Sequence, residues 1–267
     1  LLKNPKAYVG CEINSCRRGF DRSQTNVCLV FPDTYAIGMS HAGLKILYHL
    51  LNAIPGVHAQ RAFLPDPENV PLFRQHGVPL FSLETRTPLR EFDLLGFSLL
   101  SELNGTNVLL ALELSGVPLR SAQRRAGDPF VAAGGIAVAN PEPLRAFVDL
   151  FAFGDGEAIF PDLIRVLERA RRQGHERGAV LEAFAGVEGV YVPARHPLHN
   201  CASPSTGFVK NERSRTAMHY DLTDLRLFVA IAEEGNLTRG AARAFLAPSS
   251  ASHRLQRLET ALGAQLF

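Results

Sequence analysis

Between about residues 26 and 192, short continuous runs of apolar residues alternate with stretches in which apolar residues recur every three to four positions. The runs at 27–31, 94–98, 130–133 and 150–153 lack the in-out alternation of a half-wet strand and predict strands buried on both faces, and the more mixed stretch 58–63 is a fifth strand candidate. Between them, Leu44, Leu47, Tyr48 and Leu51 share one helical face, and Val108, Leu109, Leu112 and Ser115 share another. A third helix is predicted from Ile159, Leu163, Val166, Leu167 and Ala170, ending in the basic run Arg169 to Arg172 that suits a helix C-terminus. Strands alternating with crossover helices predict an α/β domain, a Rossmann- or flavodoxin-like and mainly parallel sheet.

Residues 193–217 are rich in Pro, Ser, Asn and mixed charge, with no sustained period, and from Met218 the pattern becomes purely helical. The division predicted is an α/β domain over 1–195, a linker over 196–217 and a small all-α domain over 218–267. In the last, Leu225, Phe228, Val229 and Ala232 make one apolar face, stopped by Gly235-Asn236. Thr238 then stands where an N-cap is needed for a short helix through Arg239 to Phe245, with Ala241, Ala242 and Phe245 inward. After the turn Ala247-Pro248-Ser249-Ser250, a third helix points Ala251, Leu255, Leu258 and Leu262 inward, leaving Ser250, Ser252, His253, Arg254 and Arg257 outward.

Composition narrows the function classes. The chain has 267 residues, 46% hydrophobic and 20% charged, with a formal net charge of +2, too small to name a nucleic-acid or membrane partner without a local site. Four cysteines without a C-x-x-C pair suit a reduced cytosol rather than a disulfide framework. The sequence contains no apolar run of membrane-spanning length and no signal-peptide core, so a soluble, cytoplasmic protein without a membrane partner is expected. Leu1 and Phe267 read as cuts, which marks the chain as a fragment.

Ligands of open α/β sheets bind where loops at strand C-termini meet helix N-termini. The loop after the first strand supplies Tyr35, Gly38, Ser40 and His41. Three later loops should converge on it, with Ser98, with Gly134 and Gly135, and with Gly154, Asp155, Gly156 and Glu157. Such a Gly-Asp-Gly-Glu can equally be an ordinary capped turn. The dinucleotide fingerprint G-x-G-x-x-G is absent, which disfavours NAD. The histidines are scattered without metal-ligand spacing, and no nucleophile-base pairing can be argued, so neither a catalytic residue nor a metal ligand is assigned.

Taken together, residues 10–15, the block 31–52, Asp93-Leu94-Leu95-Gly96-Phe97-Ser98, Ala133-Gly134-Gly135 and Gly154-Asp155-Gly156-Glu157 are similar to the N-terminal cobalamin-binding-like domain of a radical SAM family, over residues 3–193. The resemblance implies cobalamin or another corrinoid lying against the strand ends, ahead of a barrel that cleaves S-adenosylmethionine at an iron–sulfur cluster. The barrel's C-x-x-x-C-x-x-C is absent, so no cluster and no catalysis are expected of this chain. The D-x-H-x-x-G motif that ligates cobalt elsewhere is also missing, which leaves His41 to cap a helix or line the pocket.

Residues 225–242, 249–259 and 262–267 resemble the helix-turn-helix of LysR-type transcriptional regulators. The resemblance implies a helix in the major groove and assigns double-stranded DNA contacts to Thr238, Arg239, Ser249, Ser250, Ser252, His253, Arg254 and Arg257. Taken alone, Arg254 and Arg257 would read as a solvated helix face. Five Arg balance five Asp and Glu from 218 onward, so phosphate attraction rests on placement. The family's wing and dimer helix would follow residue 267, so weak binding is expected. The combined expectation is a DNA-binding transcription factor module fused to a cobalamin-binding-like domain. The alternative is an accessory domain of a radical SAM enzyme joined to a regulator fragment by rearrangement or gene-model error.

Overall fold

A computed structural model describes residues 2–195 and 236–262 except Phe245, together with Leu227, Ala230, Ile231 and Glu234. The chain divides into two compact units, Leu1–Pro204 and Ser205–Phe267. The predicted linker at 196–217 lies outside the described residues.

The first unit is an α/β sheet in the order β2-β1-β3-β4-β5-β6. Its strands are β1 (Thr25–Thr34), β2 (Val57–Leu64), β3 (Leu94–Ser98), β4 (Phe130–Gly134), β5 (Leu150–Ala152) and β6 (Val190–Tyr191). The first five run parallel, and β6, which the apolar pattern did not announce, pairs antiparallel with β5 through only two residues. Each predicted strand forms because its run is covered on both sides. Two short helices, α1 (Tyr35–Gly38) and α3 (Val70–Gln75), follow β1 and β2. On one face lie α2 (Ala42–Asn52), α5 (Gly156–Gln173) and α6 (Arg177–Ala185), whose Leu44, Tyr48, Leu51, Leu163, Ile164 and Phe184 share a core with Val27 and Leu29. On the other, α4 (Asn104–Leu114) packs Val108, Ala111 and Leu112 with Cys28, Val30, Leu95 and Phe97. Alternate residues of β1 thus feed opposite cores, the strand period of two at work.

The outer edge of β2 is closed by its own chain. The Leu83 amide donates to the Arg61 carbonyl at 2.7 Å, and the Arg61 amide to Glu84 Oε2 at 2.8 Å, so a carboxylate ends the ladder where another strand could add. Arg61 also donates from Nε to Glu84 Oε1 at 2.7 Å and lies 4.4 Å from the centre of the Tyr48 ring. Burial pushes the Glu84 carboxyl up, and Arg61 opposes that shift.

In the second unit, Leu227, Ala230, Ile231 and Glu234 are helical, followed by α7 (Leu237–Arg243) and α8 (Pro248–Leu262). Leu227, Ile231, Ala241 and Ala251 form its core. Among the described residues no helix is long and apolar enough to cross a membrane.

Candidate functional site

In the first unit, β1 connects to β2 on one side while β3 lies on the other, which makes the gap between β1 and β3 the topological switch point of the sheet. A crevice of about 210 Å³ opens there at the strand C-termini. The structure brings to it His41, Ser98, Gly134, Gly135, Gly154, Asp155, Gly156 and Glu157, eight of the residues singled out from sequence.

Glycine is required at Gly135. Its φ is +104°, and a Cβ there would meet the Leu99 carbonyl oxygen at 2.4 Å. Its neighbour Gly134 ends β4 opposite Ala152, and Gly96 and Ala132 keep the floor low. Asp155 occupies the N-cap of α5 without a side-chain capping bond, and Glu157 follows in the first turn, where the helix dipole favours a carboxylate. Among the described residues the lining contains no Lys or Arg. Two carboxylates without a cation make the crevice a hydrogen-bond acceptor, suited to amide or hydroxyl donors and unsuited to phosphate.

His41 caps α2: its Nδ1 accepts from the Leu44 amide at 3.1 Å. Burial holds its pKa below the ordinary value, and its ring lies 5.3 Å from that of Phe31. With Nδ1 accepting, the neutral ring carries its proton on Nε2, which then donates and has no lone pair for a metal. Among the described residues no three His, Cys, Asp or Glu side chains are grouped to hold a metal ion.

The loop after β1 is corrected in part. Tyr35, Gly38 and Ser40 do not line the crevice. The Tyr35 hydroxyl donates to Glu12 Oε1 at 2.8 Å, and burial, then Glu12, push that phenol up to about 12. Gly38 is buried against Phe63, whose ring a Cβ would meet at 2.4 Å, and the Ser40 hydroxyl turns back to the Ile37 carbonyl at 2.7 Å. A short helix at Tyr35–Gly38 redirects all three, a turn that the Pro-to-Gly spacing alone did not reveal.

In the second unit the N-cap of α7 is Asn236 and not Thr238. Asn236 Oδ1 accepts from the Thr238 and Arg239 amides at 2.9 and 3.2 Å, so Thr238 is an exposed first-turn residue. Ala242 is exposed, and Gly240 takes the inward place beside Ala241. A Cβ on Gly240 would come within 2.7 Å of the Ile231 Cα, so a missing methyl sets the approach of the two helices. Arg239 is turned toward the first helix, its Nη2 donating to the Glu234 carbonyl at 2.9 Å, and Glu234 also pairs with Arg243 at 3.3 Å. Glu234 and Gly240 were missed from sequence, although a glycine inside a helical pattern is itself a signal of close approach.

Helix α8 begins with Pro248 at a position that needs no backbone donor, which places Ser249 and Ser250 in its first turn. Ser249, Ser250, Ser252 and His253 are exposed, while Ala251 is fully buried and Leu255 partly so. Arg254 is half-buried and not fully outward. Arg257 lies in the helix, and its side chain is outside the described residues, as are those of Leu258 and Leu262.

A flavodoxin-like sheet with a switch-point crevice and a separate three-helix unit with one exposed polar helix define a two-module protein. Residues 43–193, more than half of the chain, match the family model of radical SAM proteins, N-terminal, and the chain belongs to that family. Residues 222–267 match the bacterial regulatory helix-turn-helix protein family, lysR type, so the chain is a fusion of the two modules. No curated protein matches. Among solved structures, the RcsB response regulator of Salmonella typhimurium aligns at 13% identity and TM-score 0.32, over 91% of this chain and 93% of that one. The response regulator ChrA of a heme-sensing two-component system aligns at 12% and 0.31, over 91% and 92%. Likenesses this slight carry no argument.

Proposed function

We propose that the chain is a DNA-binding regulator module whose α8 reads double-stranded DNA, fused to a non-catalytic α/β domain that holds a corrinoid. The observation that carries the reading is the division of α8 into two sides. Ala251 and Leu255 face the unit's core, and Ser249, Ser250, Ser252 and His253 are exposed on its first turns. Hydroxyls and amides at a helix N-terminus hold phosphates, and His and Arg further along reach base edges. A mobility-shift titration of the full chain against duplex DNA tests it. Replacing Ser250, His253, Arg254 and Arg257 should abolish the shift, and unchanged binding refutes these roles.

The crevice fits one part of a corrinoid and not another. At about 210 Å³ it is smaller than the roughly 300–1,000 Å³ of pockets that enclose drug-sized ligands, so it takes an amide side arm and leaves the macrocycle at the mouth. Leu100 in the lining is 45% exposed, and Leu103 and Ile136, in the segments that follow β3 and β4, are 85% and 77% exposed and would offer apolar surface to a flat ring. Asp155, Glu157 and Ser98 would accept from the amides, while His41, committed to its cap, stays off the cobalt. Corrinoid absorbance comigrating with the chain is the expected result, and no uptake at high micromolar ligand rejects it.

A second reading, an accessory domain separated from its radical SAM barrel, draws support from the family of residues 43–193. Sequencing the surrounding DNA distinguishes the two. A downstream cysteine triad in another frame favours the enzyme fragment, and a continuous frame into an effector domain favours the regulator.

A further inference from the structure

At the end of the sheet opposite the crevice, where the strands begin, a cleft of about 330 Å³ lies between the last turns of α5 and the segments that lead into β3 and β4. That volume falls within the range of about 300–1,000 Å³ over which pockets take small molecules. Phe92, Phe130, Leu167, Ala170 and Val180 give it an apolar wall.

Most charged side chains of the lining are already committed. Arg177 donates to the Asp128 and Pro129 carbonyls at 2.8 and 3.2 Å and to Asp149 Oδ2 at 2.7 Å, a carboxylate it shares with Arg124. Both terminal nitrogens of Arg171 donate to main-chain carbonyls of residues 22–24. Asp128 accepts from Arg90 and from the Arg125 amide. Asp93 is different. Its Oδ2 accepts from the Asn26 amide at 2.7 Å, and its Oδ1 has no hydrogen-bond donor among the described residues. Thr25, next to Asn26 at the start of β1, also lines the cleft. It is only 5% exposed, and its hydroxyl has no partner among the described residues. Burial pushes the Asp93 carboxyl up, and the Asn26 amide and the Arg171 charge oppose that shift. Arg171 thus offsets the charge of Asp93 while its terminal donors are turned elsewhere.

We propose that this cleft binds a small uncharged aromatic molecule carrying an amide, with its ring against Leu167, Ala170 and Val180 and its N–H donated to Asp93 Oδ1. The Thr25 hydroxyl donates to the carbonyl of the same amide. A hydrogen bond to an ionised acceptor is roughly twice as strong as one between neutral groups. A cationic ligand would meet the charge of Arg171, and an anionic one that of Asp93. The wall is fixed before a ligand arrives, because the Phe130 ring is held by Arg177 at 4.2 Å from its centre and by the edge of Phe184 at 5.2 Å. The site is separate from the corrinoid crevice, which opens at the strand C-termini.

Benzamide, benzamidinium and benzoate share a shape and differ in charge, and titrating the full chain with each by ligand-observed NMR tests the assignment. Saturable binding of benzamide in the low millimolar range is expected, with both ions weaker by about fivefold or more. Asp93→Asn keeps an oxygen for the Asn26 amide and puts an N–H where the free oxygen was. It should weaken benzamide by about tenfold or more and leave the melting curve little moved. Should that variant fail to fold, Ala126→Trp, at an exposed position of the lining, fills the cleft and should abolish the signal. The proposal is overturned if benzamide does not bind up to about 10 mM, or if either ion binds as tightly. It is overturned equally if Asp93→Asn or Ala126→Trp leaves benzamide affinity unchanged.

Discussion

The two units solve the same problem, presenting polar groups on a stable support, with very different reserves. The α/β unit carries a core on each face of its sheet, so its crevice can be built from glycines and short loops. The described core of the helix-turn-helix unit is Leu227, Ile231, Ala241 and Ala251, with Leu237, Ala244, Leu246 and Leu255 packed against it. The first unit is most exposed to the loss of a buried charge, and the second to atoms added at Gly240, where two helices approach closely.

The largest effect expected is that of Asp149→Ala. It would leave the fully buried Arg124 and the partly buried Arg177 without their shared carboxylate, and breaking a buried pair in this way costs about 3–5 kcal/mol. Urea unfolding monitored separately for each unit should show that loss in the α/β transition alone. A shift of the helix-turn-helix transition by a similar amount would dissolve the contrast between the units.

Next in size is Gly240→Val. The added atoms would meet the Ile231 backbone, from which neither helix can retreat without opening the core, and overpacking of this kind costs about 1–3 kcal/mol. The helix-turn-helix transition should weaken by that amount and the DNA shift should fail with it. Retained stability would mean that the close approach of α7 to Ile231 does not hold the unit together.

How much of this was legible follows the same divide. Four strands were legible because a strand covered on both faces has a continuous apolar signature that few other elements share, whereas β2 buries His58, Gln60 and Arg61 and was marked only by its place in the alternation of strands and helices. β6 was not legible, since two residues paired at an edge leave no pattern. The crevice was read from the rule that loops at strand C-termini converge, and eight residues obey it. Tyr35, Gly38 and Ser40 do not, because one turn of helix after β1 turns them away. The Arg124–Asp149–Arg177 network was illegible, joining residues far apart in sequence through tertiary contact alone. In the second unit an N-cap was expected at Thr238, although Asn236 stands two residues earlier with the better side chain for the role.

The smallest effect separates the two roles weighed for His41. The neutral ring caps α2 through Nδ1, and burial keeps its folded pKa below the ordinary 6.5. The folded state therefore holds this proton less tightly than the unfolded chain. The contribution is whole above about pH 6.5 and is lost as pH falls through the lower folded value. His41→Ala should cost the α/β unit about 0.5–2 kcal/mol at about pH 7.5, the usual worth of an N-cap. His41→Asn keeps an acceptor at that position and should stay within a few tenths of a kcal/mol of the parent there. Between about pH 7.5 and pH 5, thermal melts should then show the parent losing more stability than His41→Asn. His58, also held below its ordinary value by burial, titrates in both proteins and cancels from the difference. Parallel slopes would mean that the proton is not excluded by the cap. His41 would then line the crevice without tying down the start of α2, the other role open to it.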